Sequence, residues 1–430
     1  MIPNYKQITP FLGLRTVRTD KFKTERLSVT FKIAPEERLM PISRFVLAVL
    51  KKGCKKYPTQ RELNIRLDEL YSATVSSYFW DGVGSCKVGL VAEMLGDEYT
   101  TGSVFDGVVE LLFDVLWEPL LDDNGRFSKK YVEMARENIC DRIRSVINDP
   151  RYYSLKRGWE IMYEGDDCAL PRSGTVELVN SITDEELIST YWDLVKNSSY
   201  EVSYVGNKKS SEVEAIVKKY FDKYGYGKEK NCQKKVGFEV DTKKIKRVNE
   251  TMKLSQGKLV MGFKSGVNIT CGNDFYAMLV LNEIFGASPV SKLFMNVREK
   301  LGLCYYCSSR LDSHKGSIIV SSGIEKSDFK KAENEIKKQF KSIQHGDITE
   351  QEFSAAIKAL VNVYSEATDS ASSLENFYTL RNEYAISDTI EDAKRRVREV
   401  SVEDVVRVSK GVKLDMVYFL CGKGDDACDD

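Results

Sequence analysis

Histidine is nearly missing from this 430-residue chain, which has only His314 and His345. They stand in DSHKGS and IQHGDIT, a turn between two strands and the polar end of a helix, so both read as surface residues rather than ligands. Two isolated imidazoles cannot build a histidine-based metal site, and no sequence feature marks a serine or cysteine nucleophile with a histidine base. Long apolar runs are missing too. FVLAVL at 45–50 is typical of the longest, far short of the roughly 20 residues that span a bilayer, so no membrane partner is expected. Neither sign of charge is in excess. Lys plus Arg and Asp plus Glu number 64 each, and a chain with no net charge has no global field to draw it to nucleic acid or anionic lipid. The ten cysteines are scattered from Cys54 to Cys428 without the density of a disulfide scaffold, and MIPNYKQITPFLG has neither the basic nor the apolar region of a secretion signal. These features predict a soluble chain in a reducing cytoplasm, with proteins or peptides as partners.

What is present is one pattern written twice. In the first half a strand, RLSVTFKI, leads to an apolar helix at SRFVLAVLKKG, a second helix ending LDELYS, and the strands TVSSYFW and KVGLVAEM. In the second half KLVMGFKSG leads to the helices FYAMLVLNEIFG and SKLFMNVREKLG and the strands LCYYCSSRL and GSIIVSSGI. Long helical stretches follow in each half, among them KKYVEMARENICDRIRSVIND and QEFSAAIKALVNVYSEATD. Each half then closes on an acidic-started helix and a strand. Leu27 matches Leu259 at an offset of 232 (259 minus 27), and Gly206 matches Gly422 at 216 (422 minus 206), which points to a duplication with the difference absorbed in loops. The predicted organisation is a half at 1–223, a polar, lysine-rich linker at 224–246 and a half at 247–430. Paired strands and runs of helices make each half α+β, with helices packed on one face of a mostly antiparallel sheet.

The stretch VREKLGLCYY, Val297 to Tyr306, runs a charged helix end into an aromatic strand. Leu293, Phe294 and Val297 recur at helical spacing and Gly302 follows the last turn, which is helix-stop chemistry. Arg298 and Tyr305 therefore flank a tight helix-to-strand corner, where an arginine capping carbonyls and a tyrosine in the core would be one account. Cys304 and Cys307 form the only Cys-x-x-Cys. On a regular strand that spacing points the two thiols to opposite faces, and neither a second pair for zinc nor a helix N-terminus for redox chemistry accompanies it.

A duplicated α+β chain whose second half carries SKLF, VREKLGLCY and KGSIIVSSGIE resembles the insulinase-like (pitrilysin, M16) metallopeptidases, and KKGCKKYPTQRELNIRLDELYSATVSS resembles the segment after their metal-binding helix. The resemblance implies a clam-shaped fold of two homologous halves that encloses extended peptides. It also gives Arg298 and Tyr305 a second account, reaching across to the substrate backbone. Both groups donate hydrogen bonds without losing a proton, as holding a peptide carbonyl or an oxyanion requires. Family members let a peptide add to the sheet edge at the strand Thr74 to Trp80, and Ser76 stands where asparagine is usual.

The family's zinc motif His-x-x-Glu-His is gone. Its histidine positions fall on Arg44 and Ala48 and its glutamate on Leu47, and the downstream glutamate ligand falls near Asp141 or Arg142. The resemblance then implies a non-catalytic member that binds no metal itself. It would act with a catalytic insulinase-like chain that has an intact zinc motif and brings the zinc, as in the bacterial pair linked to 5-aminopentanol modification of elongation factor P. A structural or peptide-binding scaffold, like the core subunits of respiratory cytochrome bc1, is the other reading, and a homodimer would use similar surfaces.

Overall fold

The computed structural model describes residues 2–82, 84–225, 227 and 244–422. Of the expected linker, residues 226 and 228–243 lie outside the described residues, as does the acidic tail at 423–430. The chain divides into two compact units. The first comprises Met1–Arg144, Leu170–Val236 and Ala367–Leu380, and the second Ser145–Ala169, Gly237–Glu366 and Arg381–Asp430.

Among the described residues the first unit holds a six-stranded sheet. Its strands are β1 (Asn4–Thr9), β2 (Leu12–Arg18), β3 (Thr24–Ile33), β4 (Thr74–Asp81), β5 (Cys86–Leu95) and β6 (Tyr200–Gly206), in the order β1-β2-β6-β3-β5-β4. Only β2 and β6 run parallel. In β3 the alternation of RLSVTFKI sends Leu27, Val29 and Phe31 into the core and Arg26, Ser28 and Thr30 to the other face. The core face is closed by the apolar helices Leu39–Leu50 and Val104–Trp117 and by an aromatic cluster that includes Phe31, Phe113, Trp117 and Phe221. Burying each such side chain stabilises by about 1.5–3 kcal/mol.

The polar face of β3 is covered as well. Arg26 pairs with Glu375 and Glu93, the Ser28 hydroxyl donates to Glu375, and Arg15 Nη2 donates to Thr379 Oγ1. Both Glu375 and Thr379 belong to the helix Ala371–Glu383. Glu201 sits between Arg15 Nη2 at 3.1 Å and Lys87 Nζ at 2.7 Å. Burial raises its carboxyl, but the two cations outweigh burial and hold it down at about 2.

The second unit repeats the plan with β7 (Lys246–Met252), β8 (Gly257–Lys264), β9 (Cys304–Asp312), β10 (Ser317–Ile324) and β11 (Lys413–Gly422), in the order β7-β11-β8-β10-β9. Again one pair, β7 and β11, is parallel. Phe263, Phe285 and Phe340 pack on one face. The helix Pro150–Met162 packs on the other, where a Cβ at Gly158 would come within 2.9 Å of Val260 Cγ1, so the helix lies close against β8.

The fold is therefore mixed α and β with two mostly antiparallel sheets, as the sequence pattern predicts, but each sheet also has a helix on its second face, Ala371–Glu383 over β3 and Pro150–Met162 over β8, where the pattern predicts helices on one face alone. Two segments depart from the boundaries 1–223 and 247–430. Residues 145–169 fold with the second unit and 367–380 with the first, because Gly158 meets β8 and Glu375 meets Arg26.

Candidate functional site

The helix Leu39–Leu50 places Arg44 and Ala48 four residues apart, one turn along the same face. Both line a cavity of about 780 Å³ in the first unit, and the next residues lining it along the chain are Lys51 and Lys52 at the helix end. The helix Lys129–Ser145 contributes Asn138 and Arg142. The edge strand β4 contributes Val75, Ser76, Ser77 and Phe79. Ser76 is exposed, and β4 pairs only with β5. The structure thus brings Arg44, Ala48, Arg142 and Ser76 around one space.

Leu47 is not part of that wall. It is fully buried in the core. Asp141, the other candidate for the lost glutamate, is three-quarters exposed and pairs with Arg144 at 3.1 Å, so the residue that faces the cavity is Arg142. Arg44 donates to Asp81 Oδ1 at 2.6 Å and lies 4.2 Å over the Phe79 ring.

Zinc does not fit these residues. The cavity lining holds no carboxylate, imidazole or thiol, and its charged groups are all cations. Among the described residues no cluster of three or more His, Cys, Asp or Glu could hold a metal elsewhere. His345 is exposed, and His314 Nδ1 is 2.8 Å from the Tyr384 hydroxyl. No helix among the described residues is long and apolar enough to cross a membrane.

In the second unit, SKLFMNVREKLG ends as the sequence predicts. The helical turns Leu293–Lys300 wind wide, as a π-helix, and Gly302 takes the left-handed conformation at φ 59°. The Gly302 amide donates to the Arg298 carbonyl at 3.0 Å and the Leu303 amide to the Val297 carbonyl at 3.2 Å, so backbone amides satisfy the helix end. The Arg298 guanidinium instead lies 4.7 Å over the Phe294 ring and 3.5 Å from Glu299 Oε1.

Beyond the corner, the ladder pairs Tyr306 with Gly323 but Cys304 with Ile324, which leaves Tyr305 as the extra residue of a β-bulge. The bulge turns Tyr305 outward, where it is 78 % exposed, and excludes the core-packing account of this residue. It also corrects the expectation for the cysteines. The inserted residue shifts the alternation, so Cys304 and Cys307 stand opposite Ile324 and Ser322 on one face rather than pointing to opposite faces. The neighbouring Cys307 lowers the Cys304 thiol against its burial, helped by Ser322 and the Arg298 cation, while Cys307 is raised.

The sequence reading missed Lys51 and Lys52, whose side chains look like a solvated helix end until three elements close around them. It also missed the bulge, for which a Cys-x-x-Cys interrupted by two tyrosines is the only trace.

Residues 181–360 match the family model described as the peptidase M16 inactive domain. The chain is 31 % identical over 419 residues to the probable inactive metalloprotease YmfF of Bacillus subtilis strain 168, covering 96 % of each chain. Its fold is similar to the crystal structure of a conserved protein from Enterococcus faecalis V583, with a TM-score of 0.89 at 24 % identity, covering 99 % of this chain and all of that one. It is similar also to the peptidase M16 inactive domain from Pseudomonas fluorescens, with a TM-score of 0.81 at 14 % identity over 99 % of this chain and all of that one. The chain belongs to the insulinase-like M16 peptidase family.

Proposed function

We propose that this chain is the non-catalytic, substrate-binding subunit of a two-chain zinc-dependent insulinase-like peptidase that acts in the modification of elongation factor P. The observation that carries the reading is Tyr305, held outward on a β-bulge and 78 % exposed, in a chain with no His-x-x-Glu-His motif. A bulge re-aims a side chain, and here it leaves the Tyr305 phenol open to a partner's polar groups.

The guanidinium of Arg298 and the phenol of Tyr305 are both donors, suited to peptide carbonyls. In the assembled pair they hold the substrate backbone, β4 offers an edge to which an extended peptide adds, and the metal-bearing chain supplies the chemistry. The test is hydrolysis of a peptide library by the reconstituted pair. Arg298→Ala and Tyr305→Phe are each expected to lower the rate by about 10²-fold, on the scale of losing one preorganised donor. Unchanged hydrolysis with assembly intact would favour a scaffold subunit instead.

A further inference from the structure

The cavity beside β4 is unusual in its charge. The whole chain has equal numbers of acids and bases, yet the lining has four cations, Arg44, Lys51, Lys52 and Arg142, and no acid. The charge of Arg44 is met by Asp81, which is not part of the lining. Lys51 and Lys52 have no ion pair among the described residues. Burial, together with Arg142 and Lys52, pushes the Lys51 ammonium below its ordinary range, so the groups around it disfavour its charge.

Lys51 and Lys52 are half-buried neighbours of like charge, and an anion between them would remove the cost of holding them together. The polar groups around them are suited to a carboxylate, since Gln60, Asn64 and Asn138 carry amide donors and Ser77 a hydroxyl. The place of the cavity identifies where the anion comes from. Val75, Ser77 and Phe79 alternate along the edge strand that borders it, so a strand added to β4 would run past its mouth with every second side chain on the cavity side.

We infer that the cavity, standing where the family's metal centre stood, is a subsite for an acidic side chain, and that the peptide docked on β4 is selected for an aspartate or glutamate at that point. The inference rests on the peptide-binding reading and adds the charge of the ligand to it. The occupant is an extended acidic peptide, chosen by charge complementarity with Lys51 and Lys52.

The test is fluorescence anisotropy of the full chain with two fluorescein-labelled pools of random peptides about nine residues long, the length of a strand. One pool has a central glutamate and the other a central glutamine, and each is made with free and with amidated C-termini. The glutamate pool is expected to bind about tenfold more tightly, with the preference shrinking as salt rises and disappearing in Lys51→Gln/Lys52→Gln. Equal binding of the two pools would overturn the carboxylate subsite and leave peptide docking standing. No binding of either would overturn both. A preference that depends on a free C-terminus would assign the anion to the terminus and overturn the side-chain subsite. A preference that survives in the double variant would overturn its placement in this cavity. Should the double variant fail to fold, Lys52→Gln alone and the salt series on the unaltered chain decide the matter.

Discussion

Arg44 reaches Asp81 at 2.6 Å, and this pair ties the helix Leu39–Leu50 to the end of β4. The arginine acts there as a structural anchor. One turn of the same helix shows why a zinc motif is not a single step away, since Ala48 lines the cavity while Leu47 is fully buried.

Rebuilding the motif by Arg44→His, Leu47→Glu and Ala48→His is therefore expected to give no zinc binding by metal analysis. The glutamate would enter an apolar core without a partner, at a cost of about 3–5 kcal/mol, and Arg142 would still face the site. A stable variant that takes up one zinc would contradict this reading of the cavity.

Arg26 is nearly buried and Glu375 almost fully so, at 10 % and 1 % side-chain exposure. Removing one member strands the other, so Arg26→Ala should destabilise the first unit by about 3–5 kcal/mol in chemical denaturation. Proteolysis should then cut first within the helix Ala371–Glu383, whose Glu375 has lost its anchor. A loss within the range of a surface pair, about 1 kcal/mol or less, would show that the contact contributes little.

Acid should unfold the first unit through Glu201. Its folded carboxyl is held at about 2 by Lys87 and Arg15 against burial, below its value in the unfolded chain. A depressed carboxyl stabilises above the unfolded value, near 4.3, and that contribution is lost as pH falls toward about 2. Denaturation free energies measured from pH 5 down to pH 2 should fall by on the order of 3 kcal/mol more than those of Glu201→Gln. Parallel curves would remove Glu201 from the account.

Cys304 should alkylate well before Cys307 at neutral pH, because the neighbouring Cys307 lowers the first thiol while the second is buried and raised. Timed iodoacetamide labelling read by mass spectrometry checks this, and Cys307→Ala should slow labelling at Cys304. Equal rates in the two proteins would mean that the bulge does not couple them.

Periodic elements were legible from residue types alone. RLSVTFKI is β3, QEFSAAIKALVNVYSEATD holds the helix Glu350–Glu366, and the capping boxes of Thr183 with Glu186 and Ser401 with Asp404 start the closing helices of the two halves. Elements whose buried faces are polar were not. β2 reads LGLRTVR, and Arg15 is only 2 % exposed because Glu201 and Thr379 receive it from elsewhere in the chain. β7 overlaps the expected linker only at Lys246, and KRVNETM alternates without strongly apolar residues, so it carries little strand signal. At the candidate site, the family resemblance points to Arg44, Ala48, Arg298 and Tyr305, and the structure adds that Arg44 and Ala48 line one cavity and that Tyr305 is exposed. The choice of Arg142 over Asp141 depends on which side of a helix meets the cavity, and the Lys51 and Lys52 cluster depends on three packed elements, neither of which a local pattern encodes.

The most direct test of the central claim is purification of this chain from its own host, with mass identification of what accompanies it and zinc analysis of the product. The account predicts a second insulinase-like chain with an intact His-x-x-Glu-His motif, present in equal amount, and zinc that stays with that chain when the two are separated. A chain recovered alone, or zinc bound to this chain by itself, would contradict it.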